Sequence, residues 1–181
     1  MRTGMFVISL AVLGAALSGA CLGQDNAVVP PEQLWERLRV CIGKGHLTKK
    51  LHKARTELGE EFTATYSHAG VDGRIETGFW HMWHSRGLDM RFDEESRLDY
   101  FILYLEPPAT HKPYSFPLPA KLERGDGPAQ VLHKLGEPAE KTDLQWLYPD
   151  RGLSVTFDVK PSEGAKPKVS HVGVNAVKPK K

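Results

Sequence analysis

Two stretches of the chain pass through the same signals in the same order: a helical segment closing in Leu-Gly-Glu, a strand carrying Trp, a turn of Arg-Gly-Leu, and a strand closing in Phe-Asp. LHKARTELGE, the Trp strand, RGLDMRFD and RLDYFILYL stand over VLHKLGE, LQWLY, RGLSVTFD and KVSHVGV. Gly59 thereby answers Gly136, Trp80 answers Trp146, Gly87 answers Gly152, Leu88 answers Leu153, Met90 answers Val155 and Phe92 answers Phe157. Convergent patterning of two hairpins accounts for part of this match, and an internal duplication accounts for the shared order as well. The expectation is an α+β fold of two tandem modules, each with one or two short helices packed on one face of an antiparallel sheet.

Helix and strand periods fill in the elements. Leu34, Leu38 and Ile42, with Trp35 and Cys41 beside them, predict an amphipathic helix from Pro31 to Ile42, stopped by Gly43 and Gly45. Leu47, Leu51, Ala54 and Leu58 predict a second helix that Gly59 ends. The period then changes to two through FTATYSH, IETGFWHMW, GLDMRFD and RLDYFILYLE, which predicts an antiparallel meander. Between Glu106 and Pro119 stand five prolines, a content that no helix interior or central strand accepts. We therefore divide the chain into a first module at 24–106, a Pro-rich connection at 107–121, a second module at 122–177, whose helix runs from Gly127 to Leu135, and a basic tail at 178–181.

Alternation assigns the faces. Leu88, Met90 and Phe92, like Leu153, Val155 and Phe157, point to one side of their strands, the side helices must cover. Phe101 and Leu103 match Val172 and Val174 on that side. Tyr100, Ile102 and Tyr104 fall on the other, in register with His171, Gly173 and Asn175. Together with Trp83 they form an aromatic strip that offers large contact area at little rotamer entropy, a candidate protein-binding surface. The alternative is that the strip packs against the Pro-rich connection or the other sheet.

The first residues read as an address. Arg2, the apolar run Met5–Leu17 and the small-residue stretch SGACLG have the three-part layout of a secretory signal over residues 1–23, with cleavage after Ala20 or Gly23. The run is too short for a stable membrane anchor. The expected localisation is therefore extracytoplasmic: periplasm, cell envelope or secreted. LSGAC resembles the lipobox of bacterial lipoproteins, with Leu17 one position too early and Ser18 in its place, so Cys21 is the candidate lipidation site and a route to the membrane surface. Cys41 is then left without a partner cysteine.

Leu122–Val174 closely, and His46–Leu105 loosely, resemble the SmpA/OmlA (BamE-like) lipoprotein domain in the succession of helix, Leu-Gly-x-Pro, Trp-x-Tyr and Phe-Asp. The run is also similar to tandem modules of the β-lactamase inhibitory protein type and to small polymorphic-toxin immunity proteins. The first half departs from the pattern by carrying Glu61 where the second has Pro138. The resemblance implies a non-enzymatic protein that binds another protein in the cell envelope.

Lys and Arg number 24 against 22 Asp and Glu, too balanced for a nucleic-acid footprint. His81 and His84 invite a metal-dependent or hydrolytic site, but their spacing of three sends them to opposite sides of a regular strand. Glu60-Glu61 and Glu94-Glu95 are adjacent carboxylates of a helix end and a hairpin turn. Ser85, Ser96 and Ser115 lack a nucleophile-elbow context, and no phosphate-binding glycine motif occurs. Lys44, Lys49, Lys50, Lys53 and Arg55 read as the polar face of the second helix. We expect no catalytic residues, no metal and no cofactor. A small extracytoplasmic hydrolase using His81 or His84, and a small-ligand carrier with a cavity between two sheets, stand as alternatives.

Overall fold

The computed structural model describes residues 34–59, 61–69, 75–159 and 166–177. The signal segment, Cys21 and the basic tail lie outside the described residues. The chain is α+β. Helices α1 (Leu34–Arg39) and α2 (Lys49–Leu58) precede four strands, β1 (Phe62–Ala69), β2 (Ile75–Trp83), β3 (Leu88–Phe92) and β4 (Leu98–Tyr104). After the Pro-rich segment come α3 (Pro128–Leu135), β5 (Glu140–Lys141), β6 (Gln145–Tyr148), β7 (Leu153–Phe157) and β8 (Val169–Val174).

All eight strands join one antiparallel sheet in the order β1-β2-β3-β4-β8-β7-β6-β5. The expectation of separate sheets is thus corrected. β4 and β8, the last strand of each half, pair directly, with Phe101 opposite Val174, Ile102 opposite Gly173 and Leu103 opposite Val172. Both are short apolar strands with unpaired edges until they meet, and joining them satisfies two rows of backbone groups at once.

The two halves share register. Leu88 faces Leu103 and Met90 faces Phe101, with a bulge between Arg91 and Phe92. Leu153 faces Val174 and Val155 faces Val172, with a bulge between Thr156 and Phe157. α2 ends at Gly59 with φ 88° and α3 at Gly136 with φ 77°, conformations that side chains with a Cβ adopt at a cost. The indole of Trp83 donates to Gly59 O at 3.3 Å, and the hydroxyl of Tyr148 donates to Gly136 O at 3.2 Å. Counted from these pairs, His81, opposite Met90, takes the place of Trp146, opposite Val155. Trp80 does not answer Trp146: it stands opposite Arg91 on the other face. The turns after Trp83 and Tyr148 have equal length, so counting back from the Arg-Gly-Leu turn, rather than matching Trp to Trp, recovers the correspondence.

Among the described residues, helices cover one face only. Leu34, Leu38, Cys41, Leu51, Ala54, Leu58, Val131 and Leu135 pack with Trp83, Met90, Phe92, Phe101, Trp146 and Phe157 in a single buried cluster. Each of these larger side chains contributes about 1.5–3 kcal/mol by leaving water. Leu47 is 78 % exposed and lies outside α2, because Thr48 takes the N-cap position and turns the stripe away. No helix of the described residues is long and apolar enough to cross a membrane.

Candidate functional site

The face without helices is a band of aromatic, charged and imidazole side chains. Its rows follow from the ladder: Tyr66 opposite Gly78, Trp80 opposite Arg91, Arg91 opposite Tyr100, Asp89 opposite Ile102, and Tyr104 opposite His171. Tyr100, Ile102 and Tyr104, expected together on one face, are together there and half-buried. Trp83 is a correction. It is fully buried on the helix-covered side, because odd-numbered positions of β2 point inward, and it is no part of the strip.

Arg91 organises one end. Its guanidinium lies 4.6 Å from the Tyr66 ring centre and 5.4 Å from that of Tyr100, and its Nε donates to Tyr66 Oη at 2.9 Å. Tyr66 in turn donates to Phe92 O at 3.1 Å. Its ring lies over Gly78, where a Cβ would stand 2.1 Å from Phe92 O and 2.5 Å from Tyr66 Oη. Trp80 meets Tyr100 edge-on at 5.6 Å. Glu76, 3.2 Å away, and Asp99, 3.6 Å away, balance the cation.

Asp89 organises the other end. It is buried, accepts from Tyr104 Oη at 3.1 Å and accepts from His111 Nε2 at 2.9 Å. His111 belongs to the Pro-rich segment, which crosses this end of the sheet: Tyr114 N donates to Tyr104 O and Lys112 N donates to His84 O. Gly87 permits the crossing, since a Cβ there would stand 2.4 Å from Lys112 O and 2.5 Å from Tyr114 N. Burial, with Asp89 beside it, pushes the Tyr104 hydroxyl well above the usual tyrosine range. Burial pushes His171 below the usual histidine range. The Pro-rich connection therefore covers the Tyr104 end, while Tyr100 packs among Trp80, Arg91 and Tyr66 of its own sheet.

His81 and His84 do not converge. His84 stacks on Phe62 at 4.6 Å and lies 4.2 Å from the His111 ring. His81 sits on the helix-covered side, with Nδ1 3.1 Å from Thr63 Oγ1 and 3.2 Å from Glu61 Oε1, and its Nε2 is buried without a hydrogen-bond partner. Desolvation, then the Arg55 cation, lowers its pKa to about 4. Arg55 pairs with Glu61, so it belongs to this buried corner rather than to an exposed basic patch. Among the described residues, no three His, Cys, Asp or Glu side chains gather as metal ligands. An open groove of about 450 Å³ lies elsewhere, between Trp35, Glu36, Arg39, Val40 and Ile42 and the residues after β8, and brings together no nucleophile and base.

The Asp89–His111 pair was invisible to sequence reasoning, since the partners are 22 residues apart. A His in a segment rich in proline was the available signal. No family model, curated protein or solved structure matches the chain.

Proposed function

We propose that this is an exported, non-enzymatic protein of the cell envelope, built from two related modules, which binds another protein as an assembly factor, inhibitor or immunity-type partner. The observation that carries the reading is the one-sidedness of the sheet among the described residues: their helices pack on one face, and the other presents Trp80, Tyr100 and Ile102 half-buried, with the Tyr104 end covered by the Pro-rich segment. Rigid aromatic side chains around a held arginine are the composition of interface centres. The shared registers, the paired glycine caps and the matching aromatic-to-cap hydrogen bonds support descent of the halves from one unit. The signal-like start and the Cys21 context support export, with lipidation as the means of membrane attachment.

The test is affinity capture from envelope extract at native salt, with Trp80→Ala and Ile102→Ala beside the parent. A stoichiometric partner, lost by about tenfold or more in either variant, supports the assignment. Failure to recover any stoichiometric partner would overturn it. Mass spectrometry of the mature N-terminus separates an acylated Cys21 from a free Gln24, and an intact Met1 refutes export.

A further inference from the structure

The two edges of the sheet differ in a way that points outward. The β5 edge is two residues long and both are charged, Glu140 and Lys141, with Lys141 folded over Trp146 at 4.4 Å. Short, charged edges resist further pairing. The β1 edge is the opposite: eight residues, FTATYSHA, paired to β2 in unbroken register, without Lys, Glu, Pro or a bulge. Among the described residues, no other strand borders it.

We propose that β1 is the interface of a homodimer, in which the edge of one copy adds antiparallel to the β1 edge of a second copy about a two-fold axis through Thr65. The register is self-complementary. It sets Thr65 opposite Thr65 of the partner copy, Thr63 opposite Ser67 and Ala64 opposite Tyr66. Hydroxyl faces hydroxyl on the helix side, a small side chain faces a large one on the other, and no charge faces a like charge. Thr63, Thr65 and Ser67 are exposed, so adding a strand displaces no packed side chain.

The chain already makes this join once. At β4–β8 two four-stranded halves pair antiparallel about Ile102 and Gly173, with the helices of both on one face. A two-fold axis perpendicular to the sheet at Thr65 repeats that geometry between copies, and the isologous contact closes the assembly at two. The proposal rests on the edge and is independent of the partner-binding face.

Sedimentation velocity on the purified chain tests it, with Thr65→Lys as the variant that sets two cations opposite each other. The parent is expected to shift from monomer to dimer as concentration rises. Thr65→Lys, with an unchanged circular-dichroism spectrum, is expected to bind its own copy about tenfold more weakly or worse. A parent that stays monomeric to its solubility limit, or a Thr65→Lys variant that dimerises as the parent does, overturns the proposal. Register is read separately. In a Cys21→Ser, Cys41→Ala background, Thr65→Cys should form a covalent dimer on mild oxidation and Thr63→Cys should not, since Cα atoms of directly opposed residues lie within disulfide reach. Absent cross-linking at 65, or equal cross-linking at both positions, counts against the Thr65 axis.

Discussion

Tyr104 and His111 converge on one carboxylate, the buried side chain of Asp89, one from the centre of the sheet and the other from the Pro-rich segment laid across it. This contact ties the connection between the halves to the face it crosses. Asp89→Ala removes the acceptor and leaves a buried hydroxyl and a buried imidazole N–H without partners, at an expected cost of about 2–4 kcal/mol. Tyr104→Phe removes one donor and keeps the other, and is expected to cost about 1 kcal/mol. Urea unfolding measures both. Limited chymotrypsin digestion should cut after Tyr114 faster in Asp89→Ala than in Tyr104→Phe.

Four glycines with positive φ separate backbone strain from steric overlap. At Gly59 and Gly136 a Cβ meets nothing within 4 Å, so alanine is expected to cost about 2 kcal/mol from conformation alone, φ 88°, ψ −146° and φ 77°, ψ −166° lying where glycine alone is at ease. At Gly87 it meets backbone atoms of the Pro-rich segment, and at Gly152 it comes within 2.5 Å of Asn175 O. Alanine at either is expected to cost about 3 kcal/mol, with Gly87 the more sensitive because three backbone atoms crowd it. Thermal unfolding of the four variants should split them into these two pairs.

His81 makes stability depend on pH. Its folded pKa of about 4 lies below the unfolded value near 6.5, so between these values the unfolded chain binds the extra proton. Its contribution is whole above pH 6.5 and fades as pH falls toward 4, by on the order of 2 kcal/mol. His171, also lowered by burial, acts in the same direction. Urea midpoints measured from pH 7.5 down to 4 should fall in the parent and fall less steeply in His81→Phe. An equal slope in both would remove His81 from the account.

The matched hydrogen bonds from Trp83 and Tyr148 to the helix caps allow a cleaner comparison. Tyr148→Phe deletes only the bond to Gly136 O, at about 1 kcal/mol. Trp83→Phe deletes the bond to Gly59 O and opens a cavity under α2, so its cost should be larger by about 1–2 kcal/mol. Differential scanning calorimetry reads the difference.

What could be read from the letters was whatever the chain settles locally. Alternation placed Leu88, Met90, Phe92, Leu153, Val155 and Phe157 on the buried side, and Gly59 and Gly136 marked both helix ends, because side-chain direction and φ are decided within a few residues. The β4–β8 ladder was out of reach, since any two apolar edge strands look alike until the rest of the sheet is laid down. Trp83 was placed on the wrong face because it was grouped with the other aromatics instead of being counted along β2. The link from His111 to Asp89 depends on how a long proline-containing connection closes, which no spacing rule encodes.

The strand order has a consequence for biogenesis. Because β8 sits between β4 and β7 although it is made after both, the inner border of the first four strands stays bare until β8 itself has left the ribosome. A molecule cut short before Val169 would hold two exposed, apolar borders with nothing to close them. Completion by β8 thus makes correct assembly conditional on synthesis through Val174, and makes products cut short of it the natural prey of quality-control proteases.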